Sequence, residues 1–143
     1  MKILFDTSVL IDIERKNEKT IEIVKILIDG NDEILISTVT ISELLAGCYR
    51  RHDQRKAVDE ARKLLGQFTW APLDAKIAIK TAQYLAFLAS EGKMIEYPDA
   101  AIAATAKETN SDYLITLNKA HFLSIPDLKG KVYEPKEIGK ILK

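Results

Sequence analysis

Short apolar runs and helically spaced apolar positions take turns along this chain. Ile3-Leu4-Phe5 is a strand-like run that ends at Asp6-Thr7-Ser8, residues that favour helix N-caps, and Val9, Leu10, Ile11 and Ile13 continue it as a helix. From Thr20, the residues Ile21, Ile23, Val24, Leu27 and Ile28 recur at helical spacing as far as the turn cluster Asp29-Gly30-Asn31, and Glu33–Ser37 reads as a second strand. Thr40 and Glu43 match the S/T-x-x-E capping box ahead of Leu44, Leu45 and Cys48, which predicts a helix from near Val39 towards Arg50. Another helix covers Gln54 to Leu65. Phe68 to Ala71 is short, aromatic and β-prone before Pro72, and Ala75 to Ser90 is a long helical pattern. Pro98 is placed to open a helix at its first position, with Ala100 to Lys107 carrying it onward. Tyr113 to Thr116 is a fourth strand, Val132-Tyr133 a fifth, and a last helix begins at Pro135.

Strands alternating with helices imply an α/β fold, a three-layer α/β/α sandwich around a mostly parallel sheet with right-handed crossovers. In such a fold the loops leaving the strands and the helix N-termini share the carboxyl edge of the sheet, where ligands bind at a switch in strand order. Asp6 ends the first strand, Glu43 lies early in the helix after the second, and Asp99 opens the helix leading to the fourth. All three should point at one edge. Thr7, Ser8, Thr116 and Asn118 come from turns on that edge and are candidates to add polar ligands or to hold a carboxylate in position. Asp99 shares a helix face with Ile102, Ala103 and Ala106, so it should be half-buried.

Carboxylates gathered this closely repel one another, and their pKa values rise unless a cation neutralises them. A site of oxygen donors favours magnesium or manganese. Zinc does not fit, because His52 and His121 are far apart and Cys48 stands alone. Each acid also has a local explanation: Asp6 as a helix N-cap, Glu43 as half of the capping box, Asp99 as an acid favoured by the helix dipole. None of these explains why the three share an edge.

With 143 residues the chain has the size of one domain, and 47% hydrophobic with 29% charged residues is the composition of a folded protein with a sizeable core. The 21 basic and 21 acidic residues cancel, so no global field draws the chain to nucleic acid or membrane. The single cysteine cannot form an internal disulfide, and a reducing, cytoplasmic setting is expected. Asp6 and Asp12 interrupt the apolar N-terminus before a signal-peptide core forms, and no stretch approaches the roughly 20 apolar residues of a membrane-spanning helix.

Four segments in order resemble the motifs of PIN-domain ribonucleases, the VapC-type toxins of toxin-antitoxin pairs above all. These are Asp6-Thr7-Ser8-Val9-Leu10-Ile11-Asp12, Ile41-Ser42-Glu43-Leu44, Pro98-Asp99-Ala100-Ala101-Ile102-Ala103-Ala104-Thr105-Ala106, and Leu114-Ile115-Thr116-Leu117-Asn118-Lys119-Ala120-His121-Phe122. The resemblance runs from Met1 to about Leu128. It implies a five-stranded parallel sheet of order 3-2-1-4-5, metal ligation by Asp6, Glu43 and Asp99, magnesium or manganese dependence, and an RNA substrate. It also implies a homodimer and a cognate antitoxin whose C-terminal segment occupies the acidic groove. His121 stands where many members carry a fourth acid, which leaves a second metal position open. Asp12, six residues after Asp6, is expected to support structure instead of metal.

The richest basic stretch, Arg50, Arg51, Arg55, Lys56, Arg62 and Lys63, reads either as a solvated helix face or as RNA-backbone contact. Trp70 and Tyr97 suit base stacking and apolar packing equally. A phosphatase with an aspartyl nucleophile would need an Asp where Ser8 stands, and a receiver domain expects adjacent acids that are missing. A non-catalytic PIN-shaped binding module and a housekeeping RNA-processing nuclease are the remaining alternatives.

Overall fold

A computed structural model describes residues 1–142 of the chain. β1 (Lys2–Phe5) leads to α1 (Thr7–Glu14) and α2 (Glu18–Asp29), and β2 (Glu33–Ser37) leads to α3 (Thr38–Tyr49) and α4 (Gln54–Leu65). β3 (Thr69–Ala71) is followed by α5 (Ala75–Ser90) and α6 (Tyr97–Glu108), then β4 (Tyr113–Ile115) and β5 (Val132–Tyr133), with short 3₁₀ turns at Lys119–His121, Pro126–Leu128 and Pro135–Lys140. The five strands form one sheet of order β3-β2-β1-β4-β5, every neighbouring pair parallel. This is the expected sheet, and strand order reverses between β1 and β4.

Alternation along the strands divides the core in two. Ile3, Phe5, Ile34 and Ile36 point to a layer with Val9, Leu10, Val24, Leu27 and Leu44 from α1, α2 and α3. Leu4, Leu35 and Leu114 point to the other, packed by Ile77, Tyr84 and Leu88 of α5 and Ile102, Ala103 and Ala106 of α6. Those central strands are buried on both faces, as a parallel sheet covered by helices requires. Residues 100 to 106 of α6 are all buried, and their five alanines let the helix approach its neighbours closely.

Several boundaries differ from the sequence expectation for identifiable reasons. The capping box of Thr40 and Glu43 does not form: Ser37 is the N-cap of α3, its Oγ accepting from the Val39 amide at 3.1 Å. Phe68 stays outside β3 because its amide closes the turn after α4, donating to the Leu65 carbonyl at 3.2 Å, while its ring packs edge-on against Phe5 with centroids 5.7 Å apart. Thr116 lies just past β4, Tyr97 precedes Pro98 as the first residue of α6, and the segment after Pro135 winds as a 3₁₀ helix.

That last turn is a clamp. Glu134 and Glu137 make the capping box, and Glu137 also accepts from Lys119 at 3.2 Å and Lys140 at 3.0 Å. The Glu134 amide first, then the two lysines, hold the Glu137 carboxyl down at about 2. A depressed carboxylate contributes stability above its ordinary value of 4.5 that is lost as pH falls towards 2. Glu137→Gln is therefore expected to lower the melting temperature at neutral pH and to leave it unchanged below pH 2, read by thermal melts across that range. Equal melts at neutral pH would show that the clamp contributes nothing.

Candidate active site

Asp6 follows β1 at the point where strand order reverses, and its amide is fixed by the Ile115 carbonyl of β4 at 2.9 Å. The residue is 3% exposed, and its side chain makes no cap for α1. Oδ2 instead accepts from Ser8 Oγ at 2.7 Å and Thr116 Oγ1 at 2.8 Å. Oδ1 takes neither bond, yet among the described residues no buried side-chain oxygen lacks a partner, so Oδ1 keeps a face towards solvent. Ser8 and Thr116 are themselves tied down: the Leu117 amide donates to Ser8 Oγ at 3.0 Å, and the Asn118 amide donates to Thr116 Oγ1 at 2.9 Å. Asn118 thus enters through its backbone.

Glu43 is held by Thr7, whose Oγ1 donates to Oε1 at 2.7 Å and lies 2.9 Å from the buried Thr40 hydroxyl. Partial burial pushes the Glu43 carboxyl up, repulsion from Asp6, Asp99 and Glu96 adds to the rise, and the Thr7 bond opposes it. Asp99 opens α6 and is half-buried, as its helix face predicted. Burial raises its carboxyl first and Asp6 repels it further, while His121 works the other way from 3.0 Å, Nδ1 to Oδ2.

Asp6, Glu43, Asp99, Thr7, Ser8, Thr116, Asn118 and His121 therefore gather at one edge. Arg50 and Arg51 do not: they follow α3, about 10 Å along the axis from Glu43, and Arg51 pairs with Asp53 at 2.9 Å and Glu14 at 3.4 Å. Asp12 accepts from Thr20 Oγ1, a structural role. The sequence reading missed Glu96 and Thr40. Glu96, three residues before Asp99 and the N-cap of α6, was findable as an acid one helical turn from a candidate ligand. Thr40 was visible only as a cap.

Among the described residues no three of His, Cys, Asp or Glu close into a ready-made metal cage. Oxygen donors, a solvent-facing Asp6 Oδ1 and two carboxyls raised by burial form a donor set that fits a hard divalent cation. Replacing Thr7 by valine keeps its shape but removes the Glu43 bond and leaves the Thr40 hydroxyl short of a partner. The expected cost is about 1–3 kcal/mol of stability and a roughly 10–100-fold loss in manganese affinity, read by thermal melts and calorimetry. Wild-type affinity in Thr7→Val would remove Thr7 from the site.

Residues 3–128 match the model of the PIN domain. The chain belongs to the PIN-domain family. No curated protein sequence matches this PIN domain. Among solved structures, it is similar to a VapBC2 complex from Rickettsia felis bound to a promoter DNA fragment, at 21% identity and TM-score 0.83, covering 94% of this chain and 98% of that one. A toxin-antitoxin complex from Klebsiella pneumoniae is 26% identical with TM-score 0.71, covering 93% and 97% of the two chains. The sarcin-ricin-loop-cleaving toxin VapC20 of Mycobacterium tuberculosis has TM-score 0.60 at 17% identity, covering 78% of this PIN domain and 86% of that chain. No helix among its described residues is long and apolar enough to cross a membrane.

Proposed function

We propose that this PIN domain is the toxin of a toxin-antitoxin pair, a magnesium- or manganese-dependent endoribonuclease acting in the cytoplasm as a homodimer. The observation that carries this reading is the convergence of Asp6, Glu43 and Asp99 from three elements: Asp6 and Glu43 lack the capping bonds that would explain them locally, and the place of Asp99 in the first turn of α6 does not account for its facing the other two. Support for the toxin role comes from the Klebsiella pneumoniae toxin-antitoxin complex, related over nearly the whole length of both chains. The antitoxin is expected to lay a C-terminal segment in the acidic groove. Fold kinship with a toxin that cuts the sarcin-ricin loop accords with an RNA substrate.

Asp6, Glu43 and Asp99 would hold the cation. Bound there, a divalent metal supplies Lewis-acid polarisation of the phosphate and lowers the pKa of water. Ser8 and Thr116 fix the orientation of Asp6 by occupying Oδ2, which leaves Oδ1 as the ligating oxygen. Thr7 orients Glu43, which would help hold the cation or position the attacking water. Water adds in line at phosphorus, the bond to the ribose 3′ oxygen breaks, and the products carry a 5′ phosphate and a 3′ hydroxyl.

Purified protein should cut single-stranded RNA with added manganese or magnesium and stop on addition of EDTA. Intact RNA under those conditions, with tight binding of a protein encoded by a neighbouring reading frame, would replace this reading by the non-catalytic module. Cleavage by a protein that binds nothing encoded by a neighbouring reading frame would favour an RNA-processing enzyme.

A further inference from the structure

A cavity of about 550 Å³ opens off the carboxylate site, because Asp99 and His121 line both. Leu88 and Ile95 give it an apolar wall. Met94 stands on its rim, 98% exposed, and Lys93 beside it makes no ion pair among the described residues. The imidazole of His121 is about half exposed and is held in one orientation by Asp99.

A polymer cut at the carboxylates must place the unit next to the cut in whatever space adjoins them. The size falls within the range of small-ligand pockets, roughly 300–1,000 Å³. Glu96 and Asp99 put carboxylates on the side of the cavity towards the cation site, and a nucleotide matches the remainder of the lining. Its base has apolar faces that pack on aliphatic and thioether groups and stack on aromatic rings, histidine included. Its phosphate answers Lys93. An apolar peptide side chain would use only the wall and would leave the lysine and the imidazole unanswered.

We propose that this cavity binds the nucleotide next to the scissile phosphate, its base against Leu88, Ile95, Met94 and the His121 ring, its neighbouring phosphate on Lys93. On this view His121 is a positioning and specificity residue and not a replacement for a fourth acid. The inference rests on the nuclease reading above.

The chain contains two methionines, Met1 and Met94, so ¹³C-methyl labelling gives two signals. Met1 precedes β1 at the amino edge of the sheet, its amino group on Asp32, and serves as the internal control. Metal-free wild-type protein is titrated with each of the four 5′-nucleoside monophosphates and with ribose 5-phosphate. The Met94 methyl should move upfield under the ring current of the base while Met1 stays. One base should give the tightest binding, Lys93→Glu should weaken it at least tenfold, and His121→Ala should erase the preference among bases. Sequencing the ends cut from a random RNA pool should show that same base beside the cut, with the preference flattened at least threefold in both variants. A Met94 signal unmoved by all four nucleotides, moved equally by ribose 5-phosphate, or moved only by an apolar peptide would overturn the proposal. Failure to cut RNA would instead strike at the nuclease reading, because the titration needs no cleavage.

Discussion

Asp6→Asn should reduce RNA cleavage by about 10²–10³-fold or more, the scale set by removing one electrostatic contact from a transition state, while the chain stays folded. Asparagine keeps the shape and can still offer an oxygen to Ser8 and Thr116, but it withdraws the charge from the most buried of the three carboxylates, whose Oδ1 is free of hydrogen bonds. Asp99→Asn should do the same from the opposite wall. Residues that act on one centre are not additive, so the double variant should be no slower than the worse single one. Single-turnover cleavage of labelled RNA at saturating manganese, with far-UV circular dichroism as the folding control, measures all three. Cleavage within twofold of wild type in either single variant would refute the assignment.

Manganese should raise the melting temperature by roughly 8 °C at neutral pH when present at about 100 times its dissociation constant, from some 2.7 kcal/mol of linkage spread over a domain of this size. The gain should shrink on acidification. Glu43 and Asp99 have carboxyls raised above their ordinary values of 4.5 and 3.8, chiefly by burial and then by neighbouring charges or, for Asp99, by Asp6. A raised carboxyl binds its proton more tightly in the folded chain, so without metal these two groups cost stability as pH rises through and above that range. Protonation at lower pH relieves the repulsion and simultaneously removes the ligands. Asp6→Asn should then melt no lower than wild type in EDTA at neutral pH, because one of the repelling charges is gone. Calorimetric melts at several pH values, with manganese and with EDTA, check both statements. A manganese gain that is constant with pH would show that the ion binds elsewhere.

The parts of this site that depend on local pattern were legible in the chain. Ile3-Leu4-Phe5 running straight into Asp6 placed a charge at the end of a buried strand, and the spacing of Asp99 with Ile102 and Ala106 placed a half-buried acid on a packed helix face. Strand order was not legible from periodicity. Which strands flank β1 is decided by pairings such as Leu4 with Leu114, far apart in sequence, and that order came from the resemblance of four motifs. Glu43 shows how a local rule misleads. The S/T-x-x-E pattern is real, but Ser37 already caps the helix, and Thr7, brought over by the fold, takes the Glu43 carboxylate instead. The same blindness hid Thr40, whose partner lies in another helix, while Glu96 was passed over beside Pro98.

The burial of α6 along seven consecutive residues also fixes how the two walls of the site exchange hydrogen with solvent. Asp99 is carried by a helix whose inner amides open only when the whole core opens, so they should exchange at the rate of global unfolding. His121 sits on a short 3₁₀ turn with no buried residue, where local opening should let amides exchange faster than global unfolding does. One wall is therefore expected to exchange only with the whole fold, and the other to exchange sooner, its imidazole held by Asp99.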